Sequence, residues 1–195
     1  CRLMTDRKPL PGKLAFSRDL FVLLFLLRGM PFVDLAFLRR CDLQGNVITY
    51  HRRKTSRKLT VVVGKEAMEI IQKYMYTIPD SPYLFPIIQN PGKDEYGQYA
   101  RMLRLQNYRL TQVANILGIR DRLSTYTARH TWATTALRQN YNSSLICDAM
   151  GHSSVKVTET YFQPYRDDEV NRMNSSLITY ILSKKKRGTD KKIRS

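Results

Sequence analysis

Apolar residues recur along most of this chain at the three- and four-residue spacing of helices. The segment SRDLFVLLFLLRG holds the longest apolar run, residues 20–27, with Ser17 as its N-cap and Gly29 as its end. The segment PFVDLAFLRR predicts a second helix, opened by Pro31. Helical spacing returns in KEAMEIIQKYM and in residues 96–117, 124–139, 143–150 and 165–182.

The spacing of the apolar residues is no longer helical in residues 46–63. The segment NVITYHRRKTSRKLTVVV, residues 46–63, contains two β-rich runs around a polar turn, which predicts a hairpin. Residues 78–95 are rich in Pro, Asp, Asn and Gly and predict a long loop. We find no internal repeat. The pattern therefore predicts an α+β fold, mostly helical, with a small antiparallel β-hairpin or sheet.

Charge narrows the class of partner. The 195 residues contain 33 Lys and Arg against 16 Asp and Glu, a formal net charge of +17. Residues 183–195 hold seven of the basic residues and one acid, so they contribute +6 and the remainder of the chain +11. A basic body favours a polyanionic partner, most often nucleic acid, over a basic surface that serves solubility alone.

Other classes receive no support from the sequence. Cys1, Cys41 and Cys147 are too far apart for a zinc motif or a disulfide framework, which fits a reducing bacterial cytoplasm. No apolar run approaches the ~20 residues of a membrane span, so we expect no membrane partner. The chain opens at Cys1 without an initiator methionine, and we expect it to be a fragment that lacks an N-terminal domain.

A polar constellation lies in the second half. Tyr126 and Arg129 are three residues apart and share one face of the helix predicted at 124–139. His152 follows a glycine that ends the helix predicted at 143–150, and Tyr161 comes nine residues later. Each of these residues alone has an ordinary structural explanation. Their combination indicates a site for something charged.

These segments resemble the tyrosine recombinase, or phage integrase, family. ARHTWATTAL is similar to the family's second-arginine helix, and MGHSSVKVTETY to its L-G-H segment and nucleophile. RRKT resembles the hairpin lysine segment, and LLRGMPFVDLAFLRRCDL the first-arginine helix. The resemblance runs from about residue 17 to about residue 180 and is nearest in character to integrases of Bacteroides mobile elements. It implies the catalytic-domain fold of these DNA breaking and rejoining enzymes.

The resemblance also implies an activity and roles for four residues. Tyr161 would attack the scissile phosphate and form a 3′-phosphotyrosine, with neither a metal nor ATP as cofactor. Arg129 would bind the developing charge bidentately, and His152 would donate a hydrogen bond to a phosphate oxygen. Lys54, at the tip of the hairpin, would enter the minor groove and protonate the leaving 5′-oxygen.

Two positions depart from the family pattern. The slot of the first catalytic arginine holds Pro31, and we expect Arg28, one helical turn away, to replace it. Tyr126 stands where the family has histidine; it can donate to phosphate but cannot carry a proton near neutral pH. We expect His130 to be a buried structural residue. The other basic residues near these segments are further candidates for the missing arginine and for DNA binding: Arg39, Arg40, Arg52 and Arg53.

The last part of the chain predicts an assembly contact. Val170, Met173, Leu177 and Ile181 form a one-sided apolar face on a terminal helix. By resemblance, this helix docks into a neighbouring protomer of a homotetramer on DNA; docking onto its own domain is the alternative. We expect residues 1–182 to form the catalytic domain and the basic residues 183–195 to form a disordered tail.

Two other functions fit the same residues. A type IB topoisomerase shares the chemistry but relaxes supercoils without two sites or a tetramer. A DNA-binding module that has lost catalysis would explain Pro31 and Tyr126. The terminal apolar helix favours the site-specific recombinase, a DNA strand transferase that is associated with the nucleoid.

Overall fold

The computed structural model describes residue 3, residues 8–162 and residues 167–189, with side chains up to residue 179. The chain divides into two compact units, one up to Phe162 and one from Gln163 onward. The first unit contains every residue proposed above for catalysis. The second contains the terminal helix.

The first long helix, α1 (Gly12–Leu26), begins earlier than the sequence predicts. Pro11 is its N-cap, and the Pro11 carbonyl accepts hydrogen bonds from the amides of Leu14 and Ala15. Ser17 is therefore not a cap. It is fully buried within the helix, and its carbonyl accepts a hydrogen bond of 2.8 Å from the Gln106 amide group.

A tight turn joins α1 to the short helix α2 (Phe32–Ala36), which starts after Pro31 as predicted. Arg28 and Gly29 both have positive φ, +61° and +66°. A Cβ on residue 29 would lie 3.1 Å from the Cα of Arg129. The glycine is needed because the chain passes so close to the arginine helix.

A three-stranded antiparallel sheet follows a 3₁₀ turn at Arg40–Asp42, in the order β1 (Leu43–Gln44), β2 (Val47–His51), β3 (Lys58–Val62). Strands β2 and β3 form the predicted hairpin, with Ile48 opposite Val61. Alternate side chains of both strands are buried. Strand β1 was not predicted, because two residues are too short to show alternation.

Helices α3 (Lys65–Tyr74), α4 (Glu95–Ile116) and α5 (Thr125–Arg138) agree with the predicted segments within one or two residues. Helix α1 packs against all three, and the main core lies between it, the sheet and α4. The loop at 78–95 is tied down by a bridge between Arg39 and Tyr83. Helix α5 therefore packs directly on α1.

The end of the first unit has a small core of its own. Helix α6 (Ser143–Met150) occupies the predicted range, and α7 (Val155–Glu159), which was not predicted, packs beside it. Ala133, Ile146 and Met150 are buried together in this second core. Trp132, Tyr161 and Phe162 pack against them.

The second unit contains the helix α8 (Asp167–Thr189). The helix continues to Thr189, so residues 183–189 are helical although their composition predicts disorder; residues 190–195 lie outside the described residues. Val170, Met173 and Leu177 are exposed, and the side chain of Ile181 lies outside the described part. Within the described residues, we find no helix with the length and apolar character to cross a membrane.

Candidate active site

Arg129 occupies the centre of the site. Its helix, α5, starts with a capping box in which Ser124 and Thr127 exchange hydrogen bonds. The Arg129 side chain is almost fully buried and donates to the carbonyl of Gly29 and, over 2.9 Å, to the carbonyl of Met150. Burial, and then the charge of Arg52, lower the pKa of Arg129, but a guanidinium remains a cation in proteins.

Arg52 lies beside Arg129 and follows directly on strand β2. It is 6% exposed, and its Nη1 donates to the carbonyls of Met150 (2.8 Å) and Gly151 (3.0 Å). The two guanidinium groups therefore share the Met150 oxygen. We call Arg52 and Arg129 the arginine pair. The last carbonyls of a helix lack intrahelical donors and carry its negative dipole end, which makes them suitable acceptors for two cations.

Asp34 of α2 holds Arg52 from the other side. Its Oδ2 accepts from the Arg52 Nε over 3.2 Å, and its Oδ1 accepts from the Arg53 amide over 2.9 Å. Burial raises the pKa of Asp34, against the opposing effects of the Arg53 amide and of Arg52. No sequence pattern distinguishes this carboxylate from the other acidic residues. Asp34 is buried because the hairpin residues Arg52 and Arg53, which come 18 and 19 residues later, pack against it.

His152 is also buried, next to the left-handed Gly151 that ends α6. Its Nε2 lies 2.6 Å from Nη2 of Arg129, and its Nδ1 lies 2.8 Å from Oγ1 of Thr158. Since a guanidinium can only donate, Nε2 must accept, and Nδ1 carries the proton given to Thr158. Burial and the charges of Arg129, Arg52 and Lys54 lower the pKa of His152 to about 4. The imidazole is neutral at physiological pH.

Tyr161 closes the cluster from the end of α7. Its ring lies 5.1 Å from that of His152 and 4.6 Å from that of His130, centroid to centroid, and 5.4 Å from the Arg129 guanidinium carbon. Tyr161 is half-buried. The structure thus brings Tyr161, Arg129 and His152 together, three residues singled out from the sequence.

Tyr126 and His130 flank the Tyr161 ring. The Tyr126 ring is nearly parallel to that of Tyr161, at 6.4 Å, and is 59% exposed. Partial burial and the neighbouring Tyr161 raise the pKa of Tyr126, which keeps it a neutral donor. The prediction that His130 is buried is wrong. His130 is exposed, because it lies on the α5 face that Tyr161 covers only in part.

The hairpin reaches the site through its turn. Lys54 is exposed at the tip, and its charge is one of those that lower the pKa of His152. Arg57, which sequence reasoning missed, donates to the His152 carbonyl (3.1 Å) and to Asp148 (2.9 Å). No local pattern distinguished Arg57 from the other basic residues of the turn. It fixes the hairpin against the end of α6.

Arg28 lies elsewhere. Its Nη1 donates to the Thr60 carbonyl of β3 over 3.2 Å. Its side chain also lines a cavity of about 660 Å³ on the α5 face that carries Trp132 and Thr135.

The other three candidate arginines surround the loop 78–95 and α2. Arg40 donates to the Pro79 carbonyl over 2.6 Å and so anchors the loop. Arg53 is exposed and stacks on the Phe37 ring, with its guanidinium carbon 3.8 Å from the ring centroid. Arg39 is exposed beside the bridge to Tyr83. Arg39 and Arg53 are the two with exposed side chains.

Comparison with known proteins identifies the family. The model of the phage integrase family matches residues 3–167. Tyrosine recombinase XerC of Thermodesulfovibrio yellowstonii is 26% identical over 167 residues, which cover 78% of this chain and 52% of the relative. The chain therefore spans about half the length of this curated relative. A tyrosine recombinase of Pseudothermotoga lettingae is 32% identical over 60 residues, 31% of this chain and 21% of the relative.

Solved structures share the fold. XerH site-specific recombinase bound to a palindromic difH substrate matches with a TM-score of 0.65 at 16% identity, over 89% of this chain and 49% of that one. XerA recombinase matches with a TM-score of 0.59 at 19% identity, over 88% and 64%. The Tn1549 transposon integrase in complex with a circular intermediate DNA gives 0.59 at 18%, over 88% and 66%.

This chain belongs to the phage integrase family. The resemblance stated from the motifs and the predicted fold class are both confirmed. The likeness to integrases of Bacteroides elements stays a prediction.

Proposed function

We propose that this chain is the catalytic part of a site-specific tyrosine recombinase that cuts and rejoins DNA through a 3′-phosphotyrosine. The observation that carries the proposal is the placement of the Tyr161 ring against Arg129 and neutral His152. Membership of the family supports it, as do relatives named as recombinases and fold neighbours solved with DNA. Such an enzyme would act on double-stranded DNA in the bacterial cytoplasm, at the nucleoid.

The chemistry conserves the energy of the phosphodiester. The Tyr161 oxygen forms a bond to phosphorus, the bond from phosphorus to the 5′-oxygen breaks, and the 5′-oxygen leaves with a proton supplied by Lys54. The phosphotyrosine is later attacked by a 5′-hydroxyl in the reverse sense. Because one ester replaces another, no ATP is consumed.

His152 has two successive roles in this proposal. Once a phosphate oxygen accepts the Arg129 N–H, the Nε2 lone pair of the neutral imidazole can take the Tyr161 proton. The imidazolium then donates to that oxygen, which is the role the family resemblance implies. Tyr126, as a neutral phenol, supplies a further donor to phosphate.

Arg52 is the second cation of the site. A phosphorane needs more positive charge than Arg129 alone supplies, and Pro31 supplies none. Arg52 is fixed beside Arg129 by the shared Met150 oxygen, whereas Arg28 is hydrogen-bonded to Thr60. We therefore favour Arg52 over Arg28 for this role. Arg39 and Arg53, both exposed, are proposed to contact the DNA backbone.

The function is tested with a nicked suicide duplex taken from the DNA that flanks the gene encoding this chain. We expect a covalent adduct with the chain, and no adduct with Tyr161→Phe at unchanged DNA affinity. Tyr76→Phe, at an exposed tyrosine, is the matched control. An adduct of full yield from Tyr161→Phe contradicts the assignment. A chain that binds but never forms an adduct is a DNA-binding module, and relaxation without strand exchange indicates a topoisomerase.

Assembly is proposed to use α8. The cavity beside Trp132 is lined mainly by apolar side chains, including Phe25, Leu145 and Ile146. The exposed apolar side chains of α8 from a second copy have the right chemistry to fill it, which would link protomers into a homotetramer on DNA. We expect truncation before Asp167 to leave a chain that binds DNA as a monomer, measured by light scattering of the complexes. Tetramers from the truncated chain would exclude this role for α8.

A further inference from the structure

The main-chain carbonyl of Tyr161 accepts two hydrogen bonds from helix α5. His130 Nδ1 lies 3.3 Å from this oxygen, and Thr134 Oγ1 lies 3.2 Å from it. The two donors are four residues apart and therefore lie on one face of the helix. The same helix carries Arg129, one residue before His130.

The chemistry of the contact fixes both donors. A carbonyl oxygen can only accept, so His130 must carry its proton on Nδ1, and the Thr134 hydroxyl must point its hydrogen at Tyr161. Thr131, on the same helix, donates instead to the carbonyl of Thr127 within α5. The Thr134 hydroxyl therefore bonds to a residue outside α5, whereas the Thr131 hydroxyl bonds within it.

These bonds lie at the end of the first compact unit, which closes at Phe162. On the preceding side, the Tyr161 amide donates to the Thr158 carbonyl over 3.0 Å, which ties the residue to α7. The bonds to His130 and Thr134 tie it to α5. Tyr161 and the helix that carries Arg129 are therefore directly bonded to each other.

We propose that His130 and Thr134 are positioning residues that hold Tyr161 for attack on the phosphate held by Arg129. The inference rests on the proposed function. A misplacement of about 1 Å in a reacting group lowers a rate by about 10²-fold. Loss of one of the two bonds should therefore slow cleavage while DNA binding is unaffected.

Thr134→Val removes the hydroxyl with little change of shape. We expect its single-turnover cleavage of the nicked duplex to fall by about 10- to 100-fold at saturating DNA, with Kd unchanged. Thr134→Ser should recover most of the rate. Thr131→Val, which removes the neighbouring hydroxyl from the same helix, is the matched control and should cleave at nearly the rate of the parent chain. His130→Asn keeps a donor and should cleave faster than His130→Leu.

A sulfur-substituted substrate separates positioning from proton transfer. A sulfur atom at the 5′ bridging position leaves as a thiolate, which needs no proton from an acid. The sulfur substrate should therefore restore cleavage by Lys54→Ala but not by Thr134→Val. If Thr134→Val cleaves normally, or if the sulfur substrate rescues it, the inference is overturned. Failure of the parent chain to form any adduct would instead refute the proposed function, which keeps the two failures distinct.

Discussion

Replacing Arg52 tests how the site obtains its second cation. Arg52 donates to two carbonyls and to Asp34, all buried. Removal of one partner of a buried ion pair costs about 3–5 kcal/mol of folding free energy, because the other charge is left unpaired. Arg52→Ala therefore confounds folding with catalysis. Arg52→Lys keeps a charge, and Arg52→Ala with Asp34→Asn removes the charge together with its buried partner.

Loss of one charge-stabilising donor lowers a catalytic rate by about 10²–10³-fold, which is roughly 2.7–4 kcal/mol of activation free energy. We expect a loss in that range for the double variant. Arg52→Lys should recover part of it, since a lysine cannot donate to two phosphate oxygens at once. The assay is single-turnover adduct formation on the nicked duplex, with the melting temperature of each variant measured in parallel.

Arg28→Ala provides the contrasting arm. Its side chain contacts Thr60 and the cavity beside Trp132, so we expect cleavage close to that of the parent chain. If Arg28→Ala loses 10²-fold or more while Arg52→Lys cleaves normally, the assignment of the second cation to Arg52 is refuted. The expectation drawn from the sequence, that Arg28 replaces the missing arginine, would then hold.

Three further outcomes follow from the geometry. Burial and the charges of Arg129, Arg52 and Lys54 lower the pKa of His152 to about 4, and a bound phosphate should raise that pKa because it offsets these charges. Between the two pKa values binding takes up a proton, so affinity should increase as the pH falls toward the raised value. Imidazole NMR shifts in Tyr161→Phe with and without DNA measure the pKa of His152, and an unchanged value contradicts the prediction. Gly151→Ala places a Cβ 2.7 Å from the Arg52 Cδ at a φ of +66°, so it should destabilise the fold by more than the ~1–2 kcal/mol that a left-handed backbone costs alanine. The control Gly118→Ala, at a φ of +62° with no atom within 4 Å of the added carbon, should lose only that backbone cost. Equal melting temperatures of the two variants would refute the clash. Deletion of residues 183–195 should reduce the slope of log K against log salt only slightly, since each phosphate contact contributes about −0.9 to that slope. Loss of nearly all binding would show that residues 1–182 have no DNA-binding face.

The sequence predicted the elements whose patterns are long enough to read. The hairpin, α4 and α5 show their periods over many residues, and the order of motifs led to Tyr161, Arg129 and His152. Ser17 misled because a serine before an apolar run has the same local sequence whether it caps a helix or lies inside one. The helix begins instead after Pro11, and Ser17 is buried where the carbonyl of its residue accepts from Gln106, 89 residues away along the chain.

The residue proposed as the second cation, Arg52, was the least predictable part of the site. Arg28 is nearest in sequence to the vacant position at Pro31, and that proximity favoured it. Arg28 lies in a left-handed turn and donates to Thr60 of β3, and no periodicity reveals either feature. Arg52 was one of several basic residues on a turn. Its burial results from the meeting of α2, the hairpin and the end of α6, which are far apart along the chain.

Because main-chain carbonyls at the end of α6 hold the arginines, the site should tolerate substitutions in that helix better than insertions or deletions at its end. Both arginines are held there by main-chain oxygens, which every amino acid supplies. Substitutions among the exposed residues of α6 can therefore accumulate without altering what the arginines bind. A single inserted or deleted codon between Met150 and His152 would displace the Gly151 carbonyl, which accepts from Arg52, together with the imidazole. Divergent copies of this gene should therefore vary most at the exposed positions of α6 while keeping its length and the buried Ile146 and Met150.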